Sequence, residues 1–199
     1  MTHRNRKLPL SRLRRAAAAT LFALGVALAT PISADQHAAE LPALLGSLTT
    51  APTAAAAQVI EQKIWALWFE APAPEADTLF KAGRAAGEQG DIPQALAAYD
   101  QLVQKFPDFA EAWNQRAIVK FMMGDLDGAL EDVAHTLELE PRHFGALSGR
   151  GQCYLHMQRM GEALEALEAA QAINPWADSV NKQIEMLRAH QPQPKSKSI

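Results

Sequence analysis

Cysteine occurs once in the 199 residues, at Cys153, so the chain cannot close a disulfide on itself. In an oxidising compartment such a lone thiol reads as a small buried apolar group, with pairing to another chain as the alternative. Long apolar runs are also missing. The uncharged stretch Ala16 to Ala29 covers 14 residues, short of the roughly 20 a membrane-spanning helix needs. Positive charge is scarce beyond the start of the chain. Of 19 Lys and Arg, six (Arg4, Arg6, Lys7, Arg12, Arg14 and Arg15) lie before the apolar stretch, and all 22 acidic residues follow it. The remainder therefore carries 13 basic against 22 acidic residues, a net charge of −9. An acidic body without a basic stripe is a poor partner for nucleic acid.

A basic start, a short apolar run and small residues up to Ile32-Ser33-Ala34 are the three-part layout of a secretory signal. Residues 1–34 are expected to be that signal, cleaved after Ala34, with retention as an anchor the alternative. No cysteine stands near the cleavage point, which excludes a lipoprotein signal. Arg14-Arg15 lacks the serine and phenylalanine context of a twin-arginine signal, so ordinary export follows. The expected location is periplasmic or secreted, with no integral span after cleavage.

What the chain does have is a regular beat. Pro107, Pro141 and Pro175 keep it, as do Ala95, Ala129 and Ala163, and again Gly83, Ala117 and Gly151. A fixed period of this length, about 34 residues, marks stacked copies of one supersecondary unit. Each unit reads as two helices around a short turn: Asp77–Gln89 and Pro93–Lys105, Ala110–Met123 and Asp127–Leu139, Phe144–Met157 and Gly161–Ile173. The organisation expected is a helical segment over 35–75, units over 76–109, 110–143 and 144–177, a capping helix over 178–190 and a disordered tail over 191–199. Within the first segment, Asp35 to Glu40 reads as a loose start and Leu41–Leu48 as a short helix broken near Gly46. Thr53–Glu70 reads as a strong helix stopped by Ala71-Pro72-Ala73-Pro74.

The residues at the period positions resemble the tetratricopeptide repeat. The second unit supplies Trp113, Ala117, Ala129, Val133 and Pro141. The third supplies Leu147, Gly151, Tyr154, Ala163, Leu167 and Pro175, and the first Leu79, Gly83, Ala95, Tyr99 and Pro107. The resemblance implies an all-α fold, a right-handed α-solenoid of about three such units with an N-terminal helix pair and a C-terminal cap. Small residues would let the two helices of a unit approach, and large ones would fill the space between units. Where the family usually has an apolar residue, this chain has Arg116 and Arg150. Their stems are expected to pack along the core with the head paired to an acid such as Asp132, a functional arginine being the alternative.

The resemblance also implies a concave wall lined by the first helix of each unit. Carried over by position, that wall comprises Phe80, Arg84, Asn114, Ile118, Phe121, Met122, Ser148, Gln152, Leu155 and His156. Ile118, Phe121, Met122 and Leu155 would form an apolar patch suited to an amphipathic helix or extended peptide. The competing expectation is that Trp65 and Trp68 of the N-terminal segment fill this concavity. The family's clamp for a C-terminal carboxylate is disfavoured, because Phe80, Gly145 and Gly149 stand where basic or amide groups are required. Gly145 and Gly149 each weaken their helix by about 1 kcal/mol relative to alanine. Such a cost points to close helix contact or to a ligand approaching the backbone.

Catalysis has little to stand on. Cys153 and His156 are three apart on one helix, yet no third member completes a nucleophilic or metal site. Asp125, Asp127, Gly128 and Glu131 lack the spacing of a calcium loop. The expectation is a non-catalytic scaffold in the cell envelope, without cofactor or metal, that binds a protein or peptide partner through its groove. The alternative is a self-associating protein whose Trp65/Trp68 helix docks on another copy.

Overall fold

A computed structural model describes residues 32–190, with side chains from Glu40 onward. The signal expected over 1–34 falls almost wholly outside the described residues, and the tail over 191–199 entirely so. Regular structure among the described residues is all helical: α1 (Ile32–Thr49), α2 (Ala54–Trp68), α3 (Pro74–Glu88), α4 (Ile92–Lys105), α5 (Ala110–Met122), α6 (Leu126–Leu139), α7 (Phe144–His156), α8 (Met160–Ile173) and α9 (Asp178–His190). No described helix is long and apolar enough to cross a membrane.

The helix limits follow local chemistry. Thr53 caps α2 by accepting from the Ala56 amide, and Pro74 occupies the first turn of α3, where a missing N–H costs nothing. In the first two repeats a Gly-Asp pair makes the turn. Gly90 and Gly124 take φ of 76° and 80°, a region closed to most side chains. Asp91 and Asp125 then cap α4 and α6 by accepting from the amides of Gln94 and Gly128. The third repeat departs from this. Gln158 adopts φ 60° without being glycine, and Arg159 offers α8 no side-chain cap.

Each repeat pairs α3 with α4, α5 with α6, and α7 with α8. The small residues have the role expected of them. An ideal Cβ on Gly83 would lie 2.7 Å from the Tyr99 ring, and one on Gly151 would lie 2.7 Å from Leu167 Cγ. Ala95, Ala129 and Ala163 are fully buried. Between them lies a polar junction. Asp132 is 2% exposed and accepts from Arg116 Nε and a terminal nitrogen at 2.8 and 2.7 Å, with Lys120 at 3.0 Å. Arg116 also reaches Asp100 at 2.9 Å and lies over the Trp113 ring. The bond to Asp132 is the main reason its already high pKa rises further. One period later the acids are gone. Ala134 and Ala166 occupy the positions equivalent to Asp100 and Asp132, and Arg150 keeps a buried Nε without a partner among the described residues.

Two expectations for the N-terminal segment need correction. Asp35 to Glu40 is helical, and Gly46 does not break the helix, which runs on to Thr49. Burial of Leu45 and Leu48 against α2 and α7 outweighs one glycine's preference. The helix pair then crosses to the repeats on aromatic side chains. Phe69 packs on Phe80 at a ring distance of 5.7 Å, while Trp65 and Trp68 pack on Phe144 at 5.4 and 4.9 Å. Thr49 Oγ1 donates to the Ile173 carbonyl at 3.2 Å, and Trp176 closes the same cluster. At the far end Val180 and Ile184 of α9 cover Leu164 and Leu167, as a capping helix should.

Candidate functional site

The docked N-terminal pair divides the expected concave wall into a covered and an open part. Phe80 belongs to the covered part. It is 3% exposed among Phe69, Tyr99 and Phe109, so the expectation that it stands free on the wall is corrected: it lies in the repeat core, with Phe69, just past the end of α2, packed on it. Asn114 is likewise buried, its amide donating to the Glu111 carboxylate at 3.1 Å.

Beneath Trp68 lies a residue whose role the sequence did not disclose. His143 is wholly buried and stacks on Trp68 at 4.0 Å with the planes 14° apart. Its Nδ1 accepts from the Ala146 amide, which caps α7, and its Nε2 lies 2.8 Å from Glu111. That bonding selects the tautomer with the proton on Nε2, donated to the carboxylate. One imidazole thereby ties α2, α5 and α7 together. Its only sequence signal is its place immediately before an apolar helix.

The open part centres on Ile118, which is 45% exposed, beside Met122 at 61%. Three concavities meet at Ile118. One, about 560 Å³, runs between Trp65 of α2, Phe69 just after it and Gln115 of α5. A second, about 250 Å³, lies between α3 and α5, bounded by Arg84, Ile92 and Met122. The third is a smaller hole of about 140 Å³ that enters between α5, α6 and α7 past Phe121 and Gln152. The structure therefore gathers Ile118, Phe121, Met122, Gln152 and Arg84 around one apolar surface. Arg84 is paired with Glu88 at 3.5 Å and lies over the Phe69 ring. His156 sits edge-on to Phe121 at 4.8 Å. Leu155 is set apart from the patch expected of it, lining a different concavity with Met160, Met186 and Leu187 of α8 and α9. Ser148 is half-buried.

Two of the three glycines of α7, Gly145 and Gly149, prove unlike. A Cβ on Gly145 would meet the Trp65 ring at 2.6 Å, so this glycine admits the tryptophan. On Gly149 a Cβ would meet no described atom within 4 Å, and the residue borders the 140 Å³ hole. Cys153 borders it too, 2% exposed, with its thiol pKa pushed up by burial. A raised pKa is the opposite of what a nucleophilic thiol requires. Among the described residues no group of three or more His, Cys, Asp and Glu is placed to hold a metal, and Asp125 serves as a helix cap.

Paired helices in one recurring register, closed by a cap, define an α-solenoid of helix–turn–helix repeats. The tetratricopeptide repeat model matches residues 80–134 and 115–177, and the chain belongs to the tetratricopeptide repeat family. A repeat-containing protein of Rhizobium etli is 33% identical over 131 residues, 66% of this chain and 64% of the relative. Tetratricopeptide repeat protein 36 of Danio rerio is 36% identical over 77 residues, 39% of this chain and 38% of the relative. The chain thus spans less than two thirds of these relatives. Among solved structures, the TPR2B domain–pHsp70 complex of yeast Sti1 aligns with a TM-score of 0.56 at 18% identity, covering 60% of this chain and 100% of that one. The Yersinia enterocolitica secretion chaperone SycD, in complex with a peptide of the translocator YopD, aligns at 0.56 and 14% identity, covering 59% of this chain and 95% of that one. At these identities the likeness concerns the fold.

Proposed function

We propose that the chain is a non-catalytic interaction scaffold that takes an apolar peptide or helix into the open groove around Ile118. The observation that carries this reading is the exposure of Ile118 and Met122 beside three adjoining concavities. The core-forming apolar residues of the same helix are buried, so these two are exposed on the groove side. Contiguous apolar surface of this kind suits partner capture. Solved neighbours in complex with peptides, the Sti1 domain and SycD among them, support the same direction. A carboxylate clamp fits this chain poorly, because Phe80 is covered and Gly145 lies under Trp65.

The setting we propose is the cell envelope, after removal of residues 1–34. The basic start, the uncharged run and the small residues before Asp35 support it. Intact mass of protein recovered from the periplasmic fraction tests this, and a full-length mass there would refute cleavage. Self-association through the Trp65/Trp68 helix has less support, since Trp68 is 7% exposed and packed on its own chain's His143.

Crosslinking in cells, read by mass spectrometry for wild type, Ile118→Asp and Phe121→Asp, tests the groove. A distinct partner should be captured by the wild type and lost from both variants, with helicity unchanged. Retention of that partner by both folded variants would place binding elsewhere.

A further inference from the structure

We infer that the 140 Å³ hole between α5, α6 and α7 is a socket for one large apolar side chain of the bound segment, carried on an uncharged or basic stretch. The inference rests on the groove reading above and names the chemistry of its ligand.

Glycine within a helix weakens it, so each such residue calls for a reason. Gly145 has one, because the Trp65 ring occupies the space of its side chain. At Gly149, one turn on, an added Cβ would have no described side chain or neighbouring helix within 4 Å. Helix contact therefore does not account for it, as it does not for Gly46, Gly87 and Gly161; what marks Gly149 is that its open backbone borders an enclosed apolar hole. The space it borders is walled by Ala117, Ala129, Val133, Phe121 and the Cys153 thiol. It is close in size to the roughly 150 Å³ apolar cavity known to stay dry and admit benzene. A leucine, methionine or phenylalanine side chain fits that volume and chemistry. Gln152 and Asn114 stand beside it as the polar neighbours.

Charge decides what the socket refuses and what flanks its ligand. Over 32–190 the chain has 11 basic against 22 acidic residues, a net charge of −11. Arg84, the one Lys or Arg among the residues lining the three concavities, is engaged with Glu88. A carboxylate entering the hole would find no counter-charge, whereas lysine or arginine beside the apolar anchor would approach a complementary field.

Two probes test this on the chain lacking residues 1–34. Toluene stands in for the apolar side chain and is titrated against methyl-labelled protein. Lysine-flanked octapeptides with Gly, Ala, Leu, Phe or Glu at the centre are titrated in parallel. Saturable shifts of the Ala117, Ala129 and Val133 methyls are expected in wild type, with slower alkylation of Cys153 by N-ethylmaleimide. Gly149→Leu should abolish both effects, and the milder Gly149→Ala should reduce them. Leu- and Phe-centred peptides should bind about tenfold tighter than the Ala-centred one, in line with the apolar area each hides. That preference should vanish in Gly149→Leu. Absence of methyl shifts with toluene overturns the socket. Equal binding of the Ala and Leu peptides, or no binding by any peptide, overturns its role in holding a peptide side chain. Met122→Asp separates the two readings: a Leu preference that survives it, yet is lost in Gly149→Leu, keeps the socket and overturns the groove around it.

Discussion

Two glycines four residues apart on one helix should respond unequally to the same substitution, one gaining stability and the other not. Gly149→Ala adds a methyl where no described atom lies within 4 Å, so only the helix preference changes, a gain of about 0.8–1.0 kcal/mol. Gly145→Ala gains the same preference but drives the new Cβ to 2.6 Å from Trp65. That ring is held edge-on by Trp68 at 5.1 Å and by Phe144 at 5.4 Å, so it cannot step aside without disturbing both. Overpacking of this kind costs about 1–3 kcal/mol, which leaves Gly145→Ala roughly neutral to 2 kcal/mol less stable. For a body of this size each kcal/mol moves the melting temperature by about 2–4 °C. Urea midpoints followed by circular dichroism, alongside tryptophan emission, measure both variants. Gly149→Ala should raise the midpoint without changing emission. Gly145→Ala should leave it level or lower it, with a red-shifted native spectrum as Trp65 lifts off. Equal gains from the two substitutions would refute the docking of Trp65 on α7.

Other perturbations probe other parts. Asp132→Ala should cost about 3 kcal/mol in urea unfolding, because it removes the buried carboxylate from Arg116 and Lys120 and leaves them only Asp100 and the Gly128 carbonyl. Ala166→Asp, which restores an acid opposite Arg150, should be tolerated far better than Ala163→Asp, and equal losses would refute that pairing. Trp68→Ala should remove about 3–5 kcal/mol, read by thermal unfolding, together with the near-ultraviolet signal of its stack on His143. Tyr99 has its phenol pKa raised, first by burial and then by Glu111. Its stabilising share is therefore complete below the unfolded phenol pKa of about 10 and is lost as pH climbs above it. Tyr99→Phe should flatten the fall in stability above that pH, and an unchanged alkaline limb would contradict the assignment.

The repeats were legible because their cause is local and recurs. Helix limits such as Ala110–Met122 and Leu126–Leu139 lie within a residue of those read from the repeating beat. The pairing of Arg116 with Asp132 was legible as well, since both stand at period positions. Repeats say nothing, however, about where a segment outside the beat will settle. The sequence therefore supports two competing readings of Trp65 and Trp68, one of them filling the concavity, and does not say that Phe80 and Asn114 are the wall residues buried. The helix through Gly46 was missed because burial of Leu45 and Leu48, a tertiary effect, overrode a weak local breaker. The small hole between α5, α6 and α7 had a faint signal in Gly149. Its other walls, Ala129 and Val133, were legible only as core. The loss of acids around Arg150 could have been read, by stepping one period on from Asp100 and Asp132 to two alanines.

A stack of repeats ordinarily behaves as a line of neighbours, each stabilised by the next and free to peel from either end. Here the bond from Thr49 to Ile173 joins residues 124 apart, and the end of α2 reaches the first repeat through Phe69 and the third through Trp65 and Trp68 on Phe144. Such a closure turns the line into a ring of dependencies. The last repeat cannot melt without releasing the first helices, and those helices cannot seat until the third repeat exists. Unfolding should then be a single event instead of a fraying. Folding should wait on its longest loop, slower than three bare repeats whose contacts are all local.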